Sequence, residues 1–249
     1  MCGRFTRQYT WKQVRDFLDL RMPAPEEMLT PRYNVAPTQA SPVCVANEKG
    51  ERELVLMLWG FKPAWSDPKR PGPINARSET AATSPMFRAA FRARRCIVPA
   101  SGFYEWKRIG SGKQPHYIRL ADEQGLIAFA GLWEPLAEER DDVKGAAAPQ
   151  GTFTILTTRP NALLAEIHDR MPVILKPRDF EAWLGAREEP KSLFDPFPAR
   201  EMTTYPISQR VNSPRHDDAN LIERAEPTDE AGPPGLFESK PTRRRKTRK

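Results

Sequence analysis

The chain has 249 residues, 39% of them hydrophobic, with six tryptophans and a net charge of +7, which is enough apolar material for one large domain or two small ones. No apolar run approaches the roughly 18 residues of a membrane span, and the N-terminus is too polar for a secretory signal, so we expect a cytoplasmic protein that contacts no membrane. The three cysteines lack CxxC spacing, which argues against a disulfide framework and a zinc site, and we expect no metal or cofactor.

The first part of the chain is predicted to contain three short helices and one strand. Residues Thr10–Leu20 (TWKQVRDFLDL) place apolar side chains at helical spacing after an N-capping threonine. The run Leu54–Trp59 (LVLMLW) is typical of a strand. In Ser78–Arg92, Ser84 and Pro85 supply an N-cap and a first-turn proline, so two helices separated by Pro85 are expected there.

The second part is predicted to consist mostly of strands. These lie at Cys96–Pro99, Phe103–Lys107, His116–Leu120, Leu126–Trp133 and Thr152–Thr158. They are followed by a helix at Asn161–Ile167, a strand at Met171–Leu175 and a helix that starts at Pro177 and ends before Gly185. The polar, alanine-rich insert at 138–151 is predicted to be a mobile loop. Strands do not alternate with long helices, so we expect an α+β domain without a parallel βαβ sheet.

The positive charge is concentrated in two places. Residues 226–249 hold seven Lys or Arg against four acids and lack apolar periodicity, so they are predicted to be a disordered basic tail after a domain over residues 1–225. The tail would either add weak affinity for phosphates or improve solubility. Residues 69–108 hold nine Lys or Arg and two acids, which indicates an anionic ligand such as nucleic acid or, alternatively, a solvated helix face.

The sequence begins MCGRFT, and Cys2 is the first candidate for chemistry. Removal of Met1, which a small second side chain favours, would leave an α-amine and a thiol on adjacent carbons. An α-amine has a pKa of about 7.7–8.0, so its neutral fraction can attack an aldehyde, and the thiol can then close onto the imine as a thiazolidine ring. The alternative is an incidental cysteine at a frayed end. Cys44 and Cys96 lie in apolar, β-branched runs and are predicted to be buried thiols.

Three further motifs carry candidate residues. In PINARSET, Asn75 offers an amide to orient Cys2, and Arg77 offers a planar fork for phosphate, although the motif also fits an ordinary strand-to-helix junction. In GFYEWK, Glu105 lies between aromatic residues that favour a raised pKa and proton transfer; a solvent-facing glutamate is the alternative. In IHDRMP, His168 can titrate near neutrality, positioned by Asp169 or Arg170.

The other two histidines are His116, which has no acid or cysteine near it in the sequence, and His216, which is followed by Asp217 and Asp218. We assign them no role.

Taken together, the motifs MCGRF, RYNVAP, WGFKPAW, INARSET, GFYEW and IHDRMP occur in an order that resembles the SRAP (SOS response-associated peptidase) family of abasic-site sensors. The resemblance covers roughly residues 1–222. It implies a single β-rich α+β domain, with an antiparallel sheet or open barrel flanked by short helices. It also implies a protein, expected to be a monomer, that binds single-stranded DNA and crosslinks to abasic sites through its N-terminal cysteine.

The resemblance also implies roles for individual residues. The catalytic set would be Cys2 as nucleophile, Asn75 as its orienting partner, Glu105 as proton shuttle and His168 as the group that assists opening of the sugar ring. Arg4 and Arg77 would contact DNA phosphates, and Pro37, Trp65 and Met86 would form an apolar wedge between the bases that flank the lesion. Self-removal of Met1 would account for the peptidase label, and lyase activity at abasic sites is a possible side reaction.

Two rival functions remain open at this level. A glutamine amidohydrolase with an N-terminal nucleophile also begins MCG, but the glycine-rich asparagine motifs expected for its oxyanion are missing. A non-catalytic binder of single-stranded DNA would use the basic stretch and leave Cys2 idle. Glutaminase activity would favour the first rival, and binding without crosslinking the second.

Overall fold

The structure of the protein is a computed structural model that describes residues 2–24, 29–67, 69–123, 125–136, 148–185 and 191–226. Its strands are β1 Phe5–Arg7, β2 Arg32–Val35, β3 Ala40–Ala46, β4 Arg52–Trp59, β5 Asn75–Arg77, β6 Arg95–Ala100, β7 Gly102–Ile109, β8 Gly112–Leu120, β9 Ile127–Pro135, β10 Gly151–Thr158, β11 Met171–Pro172, β12 Ile174–Leu175 and β13 Met202–Pro206. Its α-helices are α1 Trp11–Leu18, α2 Ser78–Ala81, α3 Arg88–Ala93, α4 Ala162–Ala165 and α5 Phe180–Leu184. Most of the predicted loop over 138–151 and nearly all of the predicted tail over 226–249 lie outside the described residues. Within these ranges, no helix is long and apolar enough to cross a membrane.

Two predicted helix N-termini are confirmed. Thr10 caps α1 in a capping box, in which the backbone N–H of Gln13 donates to Thr10 Oγ1 and the Thr10 N–H donates to Gln13 Oε1. The helix ends two residues earlier than predicted, because Asp19 adopts a left-handed conformation with φ of 53°. Asn161 caps α4 by accepting a hydrogen bond of 2.9 Å from the N–H of Leu164.

Two other boundaries were predicted wrongly. After Ser84 the chain makes a turn, in which the N–H of Phe87 donates to the Ser84 carbonyl, before α3 begins. The cap position is therefore Phe87, which offers no side-chain acceptor. The predicted strand Met171–Leu175 is divided in two at Val173, whose N–H donates to the carbonyl of Leu156 on β10.

The strands form two sheets. One has five strands in the antiparallel order β13-β8-β7-β1-β2. In the other, of eight strands, β10, β4, β3, β6 and β9 pair in a closed ring. The β-rich α+β fold is confirmed, but the barrel is closed rather than open. Closure depends on β10, which runs antiparallel to β9 on one side and parallel to β4 and β5 on the other.

Buried side chains form three apolar clusters. The central one, contributed by both sheets, includes Cys2, Phe5, Trp59, Phe103 and Phe129. A second cluster joins the other face of the eight-stranded sheet to α1, α3 and α5, and a third joins the five-stranded sheet to the segment 207–222. Cys2 therefore lies inside the central core, which both sheets contribute to. The predicted burial of Cys44 and Cys96 is confirmed.

The loop between β4 and β5, which carries Trp65, is fixed at its base by close backbone contact. A Cβ on Gly72 would lie 2.2 Å from the carbonyl oxygen of Phe61 and 2.7 Å from the carbonyl carbon of Gly60. The N–H of Phe61 also donates to the Pro73 carbonyl at 3.1 Å. The two ends of the loop therefore touch through atoms that cannot move aside.

We expect Gly72→Ala to lower the free energy of unfolding by about 3 kcal/mol, the upper end of the usual range for overpacking, because the added methyl group must displace backbone. Gly50→Ala is the control: its Cβ meets nothing within 4 Å, and only the positive φ of 79° opposes it, at about 1 kcal/mol. Urea denaturation measures both changes. A loss for Gly72→Ala no greater than that for Gly50→Ala would contradict the close approach.

Candidate active site

Cys2 is held from two sides. Its side chain is fully buried, with Sγ 3.8 Å from the carbonyl oxygen of Arg4. Asn75, the first residue of β5, donates from Nδ2 to the Cys2 carbonyl oxygen at 2.9 Å. Burial raises the pKa of the Cys2 thiol well above its usual range, so the thiol keeps its proton at neutral pH. The Oδ1 of Asn75 is buried and has no hydrogen-bond partner among the described residues.

Glu105 brings an ionisable carboxyl group into the same core. It lies on β7, its side chain is on the same face of the strand as that of Phe103, and its exposed fraction is 1%. Burial raises its pKa from 4.5 to about 7, so protonated and ionised forms are both populated near neutrality. Its charge acts on the Cys2 thiol, and the carboxylate of Asp169 in turn acts on Glu105. The expected rise in pKa therefore comes from burial and not from Tyr104 and Trp106, which lie on the opposite face of β7 in the third apolar cluster.

His168 lies just after α4, with its orientation set by its neighbours. Its Nδ1 accepts a hydrogen bond of 3.0 Å from the backbone N–H of Arg170, so a neutral ring carries its proton on Nε2. Nδ1 also lies 2.9 Å from Asp169 Oδ1, a contact that attracts only when Nδ1 is protonated. Burial lowers the pKa of His168, and the Asp169 carboxylate opposes that shift. The ring is therefore mainly neutral, and a second proton would bind at Nδ1, where the Asp169 carboxylate would stabilise it.

Arg170 joins the histidine segment to α2 and β10. Its guanidinium donates two hydrogen bonds, of 2.6 and 2.8 Å, to the carboxylate of Glu79 and one of 2.6 Å to the carbonyl of Thr157. Thr157 is the parallel partner of Arg77 across β10 and β5. The motifs PINARSET and IHDRMP, about 90 residues apart in sequence, thus meet on β10.

Arg4 was expected to contact a DNA phosphate, but its side chain is in the protein interior and not on the surface. Its side chain is buried, with an exposed fraction of 5%. Nη1 donates at 2.9 Å to Asn34 Oδ1 and to the Val211 carbonyl, and Nη2 donates at 3.2 Å to the Asn212 carbonyl. These acceptors, two of them more than 200 residues away, draw the guanidinium inward, so Arg4 and Asn34 fasten the C-terminal segment to β1 and β2.

The other residues predicted to contact DNA lie on the surface or in loops. Arg77, at the end of β5, is exposed and lies two residues from Asn75, on the same side of the strand. Trp65 is 67% exposed. Pro37 is half-buried in the turn between β2 and β3, and Met86, between α2 and α3, packs partly against the second apolar cluster.

The basic stretch 69–108 does not form one surface. Arg94 pairs with Glu134, while Arg95 is buried against the rings of Phe91 and Trp183 and donates to backbone carbonyls. The two arginines of α3 before these are exposed, as expected of a solvated helix face. The stretch therefore divides among several surroundings, and only part of it lies near Cys2.

Sequence reasoning missed His116. It is the direct partner of Glu105 across β7 and β8, so the two side chains emerge on the same face with Cβ atoms about 4.5–5.5 Å apart. Its Nδ1 is buried without a hydrogen-bond partner among the described residues, and burial followed by the charge of Lys107 lowers its pKa. The acid that the local sequence lacks is Glu105, which is near His116 in space but eleven residues away in sequence. Only the register of the hairpin could have revealed it.

The sequence of the chain is similar to those of several proteins that are named abasic site processing proteins. Residues 1–214 match the family model described as SOS response associated peptidase (SRAP). Abasic site processing protein YoqW from Bacillus subtilis (strain 168) is 38% identical over 230 residues, covering 90% of this chain and 99% of that protein. Abasic site processing protein YedK from Escherichia coli (strain K12) is 33% identical over 233 residues, covering 90% and 99%. Abasic site processing protein HMCES from Xenopus tropicalis is 30% identical over 243 residues, covering 82% and 69%.

A solved structure has a similar fold. The crystal structure of a protein from Bacteroides thetaiotaomicron matches with a TM-score of 0.76 at 26% identity, covering 90% of this chain and 100% of that chain.

Proposed function

Because the chain belongs to the SOS response associated peptidase (SRAP) family, we propose that it processes abasic sites in DNA by bonding to them covalently through Cys2. The relatives described above are named abasic site processing proteins. The observation that carries the proposal is the contact of Asn75 with Cys2 in a buried setting where the carboxyl group of Glu105 acts on the thiol. The expected substrate is single-stranded DNA, in which the lesion is free of an opposing base.

Opening of the sugar ring comes first. The abasic sugar equilibrates between a closed hemiacetal and an open aldehyde at C1′, and opening moves one proton from the C1′ hydroxyl and delivers one to O4′. His168 reacts in its doubly protonated form, in which the Nδ1 proton faces Asp169 and replaces the hydrogen bond from the Arg170 N–H. It donates the Nε2 proton to O4′, and the ring then returns to its resting Nε2–H tautomer by exchanging protons with solvent. The Glu105 carboxylate accepts the hydroxyl proton.

The α-amine then attacks, because the thiol is held in its protonated form. Attack on C1′ gives a carbinolamine, and protonated Glu105 donates to its hydroxyl group, which leaves as water and produces an iminium ion. The Glu105 carboxylate next takes the thiol proton, and the sulfur closes onto C1′. The products are a thiazolidine and one water, and Glu105 is protonated again. A carboxyl group with a pKa of about 7 is suited to both halves of this cycle.

Asn75 is proposed to aim the amine. Its Nδ2 already fixes the Cys2 carbonyl, and the buried Oδ1 is available to accept a hydrogen bond from the amine once Met1 is removed. Arg77 is proposed to hold a phosphate beside the reacting sugar, with Trp65, Pro37 and Met86 separating the neighbouring bases. Arg4 is proposed to act indirectly, by holding the N-terminal strand in place.

Intact-mass analysis of the Met1-free protein with an abasic oligonucleotide tests the proposal. The expected product is a heat-stable conjugate whose mass is that of both reactants less one water. Borohydride should leave this mass unchanged, because a closed thiazolidine has no C=N bond to reduce. Absence of a conjugate, or a conjugate that gains two hydrogens on reduction, would overturn the thiazolidine mechanism; glutaminase activity without any conjugate would favour the amidohydrolase.

A further inference from the structure

The β7–β8 hairpin extends outward from Glu105. Side chains alternate along a strand, so Glu105, Lys107 and Ile109 share one face of β7. The residues directly opposite them on β8 are His116, Gln114 and Gly112. This face begins in the buried core at Glu105 and reaches solvent at the hairpin end.

The exposed part of this face carries groups that the catalytic cycle does not use. Lys107 is half-buried and forms no ion pair with any described residue, and its charge acts on His116. His116 is half-buried and keeps a buried, unpartnered Nδ1. Ile109 is 40% exposed, and with Trp65 it makes up the large hydrophobic side chains that are exposed within the described ranges.

These three residues and Arg77 belong to different sheets. Arg77 and Asn75 belong to β5 of the eight-stranded sheet, whereas the hairpin belongs to the five-stranded sheet, and Cys2 lies in the core to which both sheets contribute. A strand rises about 3.3 Å per residue, so Lys107 lies about 7 Å and Ile109 about 13 Å along the strand from Glu105. These spacings are comparable to one and two steps between phosphates along an extended single strand.

We propose that His116, Lys107 and Ile109 form a second subsite for the DNA strand, here called the hairpin subsite. Lys107 and His116 bind the phosphate next to the lesion on the side away from Arg77, and Ile109 packs against the following nucleotide. The hairpin subsite rests on the proposed function and adds the path of the DNA to it. The DNA strand passes over Cys2 from one sheet to the other, and one phosphate is held on each side of the reacting sugar.

Binding of single-stranded DNA with a tetrahydrofuran abasic analogue tests the subsite without any covalent step. Each phosphate contact contributes about 0.7 to the slope of log affinity against log salt for a single strand. We expect Lys107→Ala to reduce this slope by about that amount and to weaken binding about tenfold at low salt, whereas Lys107→Arg retains most of the affinity. Lys49→Ala, which removes the same charge from the exposed β3–β4 turn, is expected to change neither.

Neutral methylphosphonates placed one at a time along the oligonucleotide locate the contact. At one phosphate adjacent to the analogue, the losses caused by Lys107→Ala and by the methylphosphonate should not add, and His116→Gln should show the same non-additivity. Full additivity at every position, or equal effects of Lys107→Ala and Lys49→Ala, would overturn the subsite. Failure of the wild-type protein to bind the analogue or to crosslink abasic DNA would instead overturn the proposed function.

Discussion

A variant with one extra residue before Cys2 is expected to form no heat-stable adduct with abasic single-stranded DNA. The extension turns the Cys2 nitrogen into an amide, which is not nucleophilic, and places the new amine too far from the thiol for a five-membered ring. The thiol alone cannot replace it, because burial raises its pKa and thiol addition to an aldehyde is reversible. We expect crosslinking to fall below detection in denaturing gel electrophoresis.

A cleavable extension supplies the control. If the added residues end in a protease site that leaves Cys2 first, cleavage of the same sample should restore the adduct, which separates loss of the amine from misfolding. Cys2→Ser keeps the amine and removes the thiol. Its amine should still form an imine that borohydride traps, but the unreduced product should not survive heating. An extended protein that crosslinks as well as the native one would disprove the mechanism.

Local features of the fold were predictable from the sequence because their causes are local. The capping box of Thr10 and Gln13 lies within four residues, and the strands around Leu54–Trp59 and Thr152–Thr158 are apolar runs of suitable length. β8 begins four residues before the predicted start at His116 and includes Pro115. The proline is tolerated there because only its carbonyl, which accepts from the N–H of Ile207, is needed.

Features that depend on distant partners could not be predicted in this way. Closure of the barrel requires β10 to pair in parallel with β4 and β5, and nothing within β10 itself specifies that choice. Among the strands that were missed, β1, β2, β5 and β13 are short and take their hydrogen bonds from strands remote in sequence. The missed strand β3 is different, because it has seven residues and pairs with the next strand, β4.

The same distinction between local and distant causes applies to the candidate site. Motif resemblance named Cys2, Asn75 and Glu105, which the fold brings together. It did not reveal that Arg4 is buried against Val211, or that His116 faces Glu105 across a hairpin. Motifs identify which side chains carry chemistry, whereas the register of strands and the return of the C-terminus decide what surrounds them.

Glu105→Gln is expected to slow crosslinking about 100-fold at pH 7 and at the same time to stabilise the protein in alkaline solution. The rate loss is the typical contribution of one general acid–base group. In the wild-type protein, the rate should fall as pH rises above about 7, because less Glu105 remains protonated to release water from the carbinolamine. The variant should lose the fall centred near pH 7 and keep only the fall set by His168, whose lowered pKa places it at a lower pH; single-turnover kinetics on denaturing gels would measure both.

The stability effect follows from the direction of the pKa shift. Burial raises the pKa of Glu105 from 4.5 to about 7, so the unfolded chain ionises first and the folded state loses stability as pH rises from about 4.5 to 7. Above that window the deficit is complete, at about 3 kcal/mol for a shift of this size. Glutamine cannot ionise, so the Glu105→Gln variant does not have this loss of stability. Urea denaturation should therefore show Glu105→Gln to be more stable than the wild-type protein at pH 8, by up to that amount, and not at pH 4.

Glu123→Gln, on a side chain that is 82% exposed, is the matched control and should show no such gain at either pH. A Glu105→Gln variant with the same relative stability at pH 4 and pH 8 would mean that the carboxyl group titrates normally, and its part in moving protons would be lost with it. If both results hold, the protein keeps a destabilising carboxyl group in its core because that burial places the pKa where acid and base catalysis by one residue is possible.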